Sequence, residues 1–80
     1  MRKEVSLFAR EMERVMSRHD KTKGDSWKRL PYRTLRVLLD KEHQEYLDSR
    51  SSEELIDLAN LCMMLYFREK ESETIFWGRS

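Results

Sequence analysis

One segment of the chain, Leu55–Phe67, is apolar on nearly every side of a helical wheel, and it constrains the fold more than any other feature. A helix that is apolar all round is normally buried on all sides. A chain of 80 residues can hardly surround such a helix, because chains of this size bury only ~60–65% of their unfolded surface. We therefore expect a single domain, residues 1–80, that forms a homodimer or homotetramer through this helix.

The rest of the composition also favours helices over strands. Glycine and proline together number three, and leucine and methionine number fifteen against eight for valine, isoleucine and threonine. The longest apolar run has seven residues, far fewer than the ~20 that a membrane span needs. The single cysteine, Cys62, excludes an intrachain disulfide and suggests a reducing compartment, so we expect a cytoplasmic protein with no membrane partner.

Apolar residues at helical spacing predict an all-α chain of three helices. The first runs from about Lys3 to His19, and the second from about Pro31 to Leu47. The third begins at Ser51, where Ser-Ser-Glu-Glu54 has the pattern of a capping box, and continues to about Lys70. The short turn between the last two predicts an antiparallel helix hairpin. Residues 71–80 extend the third helix, fold back or dock on a partner subunit, and the sequence leaves these three alternatives open.

The break between the first two helices combines positive charge with one large aromatic residue. Its residues of interest for binding are Lys23, Trp27, Lys28 and Arg29. One interpretation is a solvated loop with Trp27 folded onto the core. The other is a cationic loop that holds a phosphate while Trp27 stacks on a base.

Carboxylates occur where the helical pattern predicts buried apolar side chains. Glu42 falls in the middle of the apolar stripe of the second helix, and Glu45 falls at its edge. Asp57 stands on the almost wholly apolar third helix. Because burying an unpaired charge is expensive, each of these side chains needs a cation, a proton or a metal ion.

The spacing of the acids brings them together. Glu42 and Glu45 are three residues apart on one helix, and Glu54 and Asp57 are three apart on the next. Facing residues of an antiparallel hairpin have a constant sum of residue numbers, so Glu42 lies level with Asp57 and Glu45 with Glu54. Oxygen-only ligands suit hard divalent cations, so the four carboxylates predict a site for Mg²⁺, with Mn²⁺ as a second candidate.

Each carboxylate also has a purely structural interpretation. Glu54 can act as the acid of the capping box alone. Glu42 and Glu45 can form ion pairs with Arg10 or Arg14 of the first helix. Asp57 can pair with an arginine of another subunit. These alternatives stay open from the sequence alone.

Two motifs at hairpin spacing carry a resemblance to a known family. Glu42-His-Gln-Glu45 followed by Glu54-Leu-Ile-Asp57 resembles the ExxE…ExxD pattern of the MazG-like all-α nucleoside triphosphate pyrophosphatases. The apolar continuation Leu58–Tyr66 and the loop Lys23–Lys28 are similar to segments of that family as well. Lys41 stands where many members have an additional acid.

The resemblance implies a fold and an activity. It implies a MazG-like helical bundle completed by oligomerisation, and a house-cleaning enzyme that converts nucleoside triphosphates to monophosphate and pyrophosphate. Its four carboxylates (Glu42, Glu45, Glu54 and Asp57) would hold Mg²⁺ as catalytic metal ligands. Two alternatives are a catalytically silent helical adaptor of the same fold and, ranked last, a small nucleic-acid-binding protein.

The net charge of +1 conceals a polarised chain. Residues 1–36 carry eleven basic and five acidic side chains, a net of +6, whereas residues 37–80 carry five basic and ten acidic, a net of −5. A basic half beside an acidic hairpin suits a site for a metal ion and a phosphate. Two regions that simply neutralise each other would show the same asymmetry.

Overall fold

A computed structural model describes residues 1–20 and 24–77, with side chains up to residue 71. It contains three α-helices, α1 (Lys3–His19), α2 (Tyr32–Ser49) and α3 (Ser52–Trp77), and a short 3-10 helix, Ser26–Lys28. The described residues contain no strand. The predicted all-α chain of three helices is therefore confirmed, and both ends of α1 fall at the predicted residues.

The loop after α1 turns on a glycine. The Gly24 N–H donates to the carbonyl of His19 at 3.2 Å, and Gly24 has a positive φ of 49°. An L side chain at this φ would be strained, which explains why glycine suits this turn of the loop. The chain then enters the 3-10 turn that carries Trp27.

The hairpin between α2 and α3 is tight, as predicted. Arg50 adopts the left-handed conformation (φ 55°), and its N–H donates to the carbonyl of Tyr46 at 2.7 Å. This local bond ends α2 two residues beyond the predicted end, Leu47. The two helices are consequently antiparallel neighbours and form a two-helix layer.

The predicted capping box at the start of α3 forms only in part. The Ser51 hydroxyl accepts a hydrogen bond from the Glu53 N–H at 3.2 Å, as an N-cap does. The Ser51 N–H, which Glu54 would accept in a complete box, donates instead to the Ser49 hydroxyl at 3.2 Å. The Glu54 carboxylate is thereby released from capping and faces α2.

The core is small and lies where α1 crosses one face of the α2–α3 layer. The buried apolar residues among those described are Val15, Leu35 and Ile56, one from each helix. Asn60 is buried beside them with 4% exposure, and its Nδ2 donates to the Met12 carbonyl at 3.3 Å. Since Nδ2 faces a carbonyl, the orientation of this amide is determined.

The far end of α3 holds the loop in place. The Arg68 guanidinium donates to the carbonyls of Trp27 at 3.0 Å and Leu30 at 2.6 Å. The Tyr32 hydroxyl, at the start of α2, donates to the carboxylate of the next α3 residue, Glu69. Helix α3 continues beyond the predicted Lys70 to Trp77. In the described part of the chain, no helix has both the length and the apolar character that crossing a membrane requires.

Candidate metal site

Three of the four predicted carboxylates converge between α2 and α3. Glu42, Glu54 and Asp57 each offer one oxygen, and these oxygens all lie within 4.8 Å of one another. All three side chains are half-buried. We call this cluster the acid triad. The hairpin register argued from the sequence therefore places Glu42 beside Asp57 as expected.

The fourth predicted ligand, Glu45, is half-buried on α2 but lies outside the acid triad. Its negative charge still acts on the cluster, because it helps to raise the pKa of Glu42. Glu45 is thus part of the electrostatic surroundings of the triad in this structure.

The crowding of like charges changes how the triad holds protons. Burial raises the pKa of Glu42 to about 7, helped by the adjacent Glu54 carboxyl and by the charges of Glu45, Asp57 and Glu54. Burial also raises the pKa of Asp57, together with the charges of Glu54 and Glu53. His19 and Arg18 at the end of α1 oppose this second effect in part. The triad thus favours a bound proton or cation.

Among the described residues, no arginine of α1 forms an ion pair with a carboxylate of the triad. Arg14 donates to Glu53 at 2.8 Å and to Glu11 at 3.2 Å, and Arg10 forms no ion pair with any described residue. The structural interpretation that paired Glu42 or Glu45 with these arginines is therefore wrong for the described chain. One oxygen each of Glu42 and Glu54 is shielded from solvent without a hydrogen-bond donor.

A cavity of about 380 Å³ opens beside the triad on the face that α1 covers. Glu42 and Asp57 form part of its wall, and Trp27 from the loop forms another part. Its remaining walls come mainly from apolar side chains of all three helices: Val15, Met16, Leu35, Leu38, Leu61 and Met64. A cavity of this size and character, with a few polar groups at one side, is typical of small-molecule sites.

Comparisons of the chain with protein-family models, curated proteins and solved structures find no match. The geometry and chemistry of the site are therefore the basis for its functional assignment.

The predicted substrate-binding residues of the loop fall in different places. Trp27 is half-buried in the cavity wall, and its indole Nε1 is shielded without a hydrogen-bond acceptor. Lys28 pairs with Asp25 at 3.2 Å and lies 5.6 Å from the centre of the Trp27 ring. Arg29 is exposed, and Lys23 lies outside the described residues.

Sequence reasoning missed three residues around the triad. Arg18 and His19 act electrostatically on Asp57, and Asn60 joins Asp57 in the cavity wall. Arg18 and His19 could have been found from their position in the last turn of α1, directly before the loop. The signal for Asn60 was its place one turn after Asp57 on an apolar helix.

The raised pKa of Glu42 predicts a stability that falls as the pH rises. The folded chain holds this proton up to about pH 7, whereas an unfolded glutamate loses it near 4.5. This proton therefore stabilises the folded chain at pH 5, and the stabilisation is lost as the pH rises to about 7. Solvent screens a half-buried group, so we expect roughly 1 kcal/mol, or about 5 °C in Tm, between pH 5 and pH 8.

Thermal unfolding of Glu42→Gln beside the wild type, in the presence of a chelator, measures this effect. The variant should lose less stability than the wild type between the two pH values, and Mg²⁺ should restore the wild type at pH 8. Glu4→Gln, which removes an exposed carboxylate at the start of α1, should behave as the wild type. Parallel pH profiles for all three proteins would contradict the assignment.

Proposed function

We propose that this chain is a Mg²⁺-dependent nucleoside triphosphate pyrophosphohydrolase of the MazG-like type. The observation that carries the proposal is the acid triad, in which three carboxylate oxygens lie within 4.8 Å at the edge of a largely apolar cavity. An active site for phosphoryl transfer needs positioned negative ligands for a cation beside a pocket for the rest of the substrate.

The donor set fits a hard divalent cation. It consists of carboxylate oxygens, two of which are shielded without a hydrogen-bond donor, and its charges are not paired with any described lysine or arginine. Glu42, Glu54 and Asp57 would hold Mg²⁺, with Glu45 close enough to add a further charge or a ligand through water. When bound, Mg²⁺ would neutralise phosphate charge and lower the pKa of a coordinated water.

The chain's own residues would orient the nucleotide. The cavity offers the face of Trp27 and several aliphatic side chains to a base and sugar. The bonds from Arg68 to the loop carbonyls keep Trp27 at the cavity wall. Lys28 and Arg29 of the loop, with Lys23 as a further candidate, would meet the outer phosphates, and Arg18 is a candidate from α1.

Oligomerisation belongs to the same proposal. Helix α3 keeps apolar side chains exposed, among them Tyr66 at 55% and Phe67 at 54%. Such surfaces mark association sites when they are contiguous. A homodimer or homotetramer through α3 would cover them.

A direct assay tests the activity. The protein is incubated with each common nucleoside triphosphate and deoxynucleoside triphosphate in Mg²⁺, and pyrophosphate and orthophosphate are measured separately. We expect pyrophosphate and the monophosphate from at least one nucleotide, no orthophosphate, and no reaction in excess chelator. Failure with every nucleotide, together with no thermal shift from Mg²⁺ or Mn²⁺, would contradict the proposal.

One observation favours a second candidate, a helical adaptor of the same fold that lacks catalysis. Lys41, an exposed residue next to Glu42, contributes a positive charge where the resembled family often has an acid, and Glu45 lies outside the triad. A thermal shift with Mg²⁺ but no turnover of any nucleotide would support this candidate.

A further inference from the structure

The layer formed by α2 and α3 has two faces, and only one of them is covered. Helix α1 and the loop cover the face that contains the acid triad and its cavity. The opposite face carries a groove of about 810 Å³ lined by α2 and α3 alone. Val37 on this face is 60% exposed, and Cys62 is exposed as well. We call this face the outer groove.

The chain exposes more surface than a compact monomer of its mass. Its accessible surface is 6682 Å², whereas about 5200 Å² is expected for a compact protein of 9.8 kDa. Its radius of gyration is 14.1 Å, against about 12 Å for a compact domain of this length. The excess, roughly 1500 Å², is spread over the whole chain, and the outer groove is one open part of that surface. A standard stable interface buries ~800 Å² per partner.

The charges in the outer groove of one copy are complementary to those of a second copy. Arg36 and Asp40 are exposed one helical turn apart on α2, and neither forms an ion pair with any described residue. If two copies of α2 lie antiparallel across a two-fold axis, Arg36 of each copy meets Asp40 of the other. A surface that carries both signs in this order is self-complementary, as an isologous interface requires.

Helix α3 fits the same axis. Two contacts give the register of α2 against α3: Tyr32 bonds to Glu69, and Glu42 lies beside Asp57. Residue numbers of facing residues therefore sum to about 100. The point midway between Arg36 and Asp40, at residue 38, consequently lies level with Cys62. The axis that pairs the charges of α2 therefore passes Cys62 and places it beside its counterpart. The apolar residues that flank Cys62 in the groove, Leu58 and Leu65, then face each other across the copies.

We infer that a second copy of this chain docks on the outer groove about a two-fold axis that lies level with residue 38 of α2 and passes Cys62. The two layers form a bundle of four antiparallel helices whose centre is apolar and whose α2 helices exchange two ion pairs. The acid triad stays on the opposite face of each layer. This inference assigns one surface to the oligomer named above, leaves Phe67 outside the groove, and holds whether or not the chain hydrolyses nucleotides.

A charge exchange tests the register in the full chain. Sedimentation should show a wild-type dimer, and Arg36→Asp should raise its Kd at least ~10-fold by creating two like-charge contacts. Combining Arg36→Asp with Asp40→Arg should return the Kd to within ~3-fold of the wild type, since both contacts are restored with reversed sign. Lys41→Asp, a matched charge change on exposed α2 outside the groove, should leave the dimer unchanged.

Cross-linking gives a second readout. A short bismaleimide joins thiols on facing helices, and Cys62 is the only thiol of the chain. We expect covalent dimers from the wild type and from the double charge exchange, and far fewer from Arg36→Asp at the same concentration. Circular dichroism confirms that each variant is helical. A monomeric wild type at all concentrations, or a double exchange that fails to restore the dimer, would overturn the inference.

Discussion

Replacing Asp57 by asparagine is expected to reduce the rate of pyrophosphate release at least ~100-fold, because a neutral amide is a poor ligand for Mg²⁺ beside phosphate. Asp57 belongs both to the acid triad and to the cavity wall, where a metal-bound phosphate would lie. Steady-state pyrophosphate release at saturating nucleotide, measured over a Mg²⁺ titration, gives the loss and shows whether added metal reverses it.

The same substitution should not destabilise the protein. Burial and neighbouring acids raise the pKa of Asp57, so its ionised form opposes folding at neutral pH. Asp57→Asn should therefore be at least as stable as the wild type at pH 8 while being almost inactive. Loss of activity without loss of stability separates a functional carboxylate from a structural one.

Asp48→Asn provides the matched control. Asp48 is an exposed carboxylate near the end of α2 and lies outside the triad, so its variant should keep wild-type activity. If Asp57→Asn retained more than a tenth of the activity, the triad would not be the metal site. If it unfolded, Asp57 would have to be assigned a structural role.

The sequence predicts the helices of this fold well because their ends depend on local chemistry. Apolar spacing defines α1, and the turn at Arg50 and Ser51 is short enough to force an antiparallel hairpin. The prediction that Glu42 lies level with Asp57 follows from that hairpin alone. Counting residues along an antiparallel pair requires no knowledge of the rest of the fold.

The composition of the triad could not be predicted in the same way. Whether Glu45 or Glu54 points into the cluster depends on the rotation of each helix about its axis, which packing against α1 determines. The Ser49 hydroxyl also takes the N–H that Glu54 was expected to cap, and this frees Glu54 for the cluster. A capping pattern in the sequence does not show which neighbouring hydroxyl competes for the same donor.

Burial was also harder to predict than helicity. The apolar character of α3 suggested a deeply buried helix, yet Ile56, at 8% exposure, is its only buried apolar residue among those described. The exposure of α3 has a physical cause. Helix α1 and the loop pack on one face of the α2–α3 hairpin, and no described element covers the other face. The exposed apolar side chains of α3 are the ones that the proposed oligomer would cover.

Leu35→Ala is expected to cause the largest loss of stability. Leu35 has no exposed surface and lies where α1, the loop and α3 meet, beside Val15 and Asn60. Truncating a fully buried leucine costs about 2–5 kcal/mol, because transfer energy is lost and a cavity remains. A domain of this size has only about 4–12 kcal/mol in total. We expect Tm to fall by at least ~10 °C in thermal unfolding followed by circular dichroism.

Leu47→Ala is the control on the same helix, since Leu47 is 51% exposed and its truncation should shift Tm by little. A shift below about 3 °C for Leu35→Ala would show that the junction of the three helices does not stabilise the chain. Repeating both measurements at two protein concentrations separates the stability of the core from that of the proposed oligomer. Association adds stability that grows with concentration, whereas the cost of the cavity at Leu35 is the same within each copy. The difference between Leu35→Ala and the wild type should therefore persist on dilution, while the Tm values of both proteins fall.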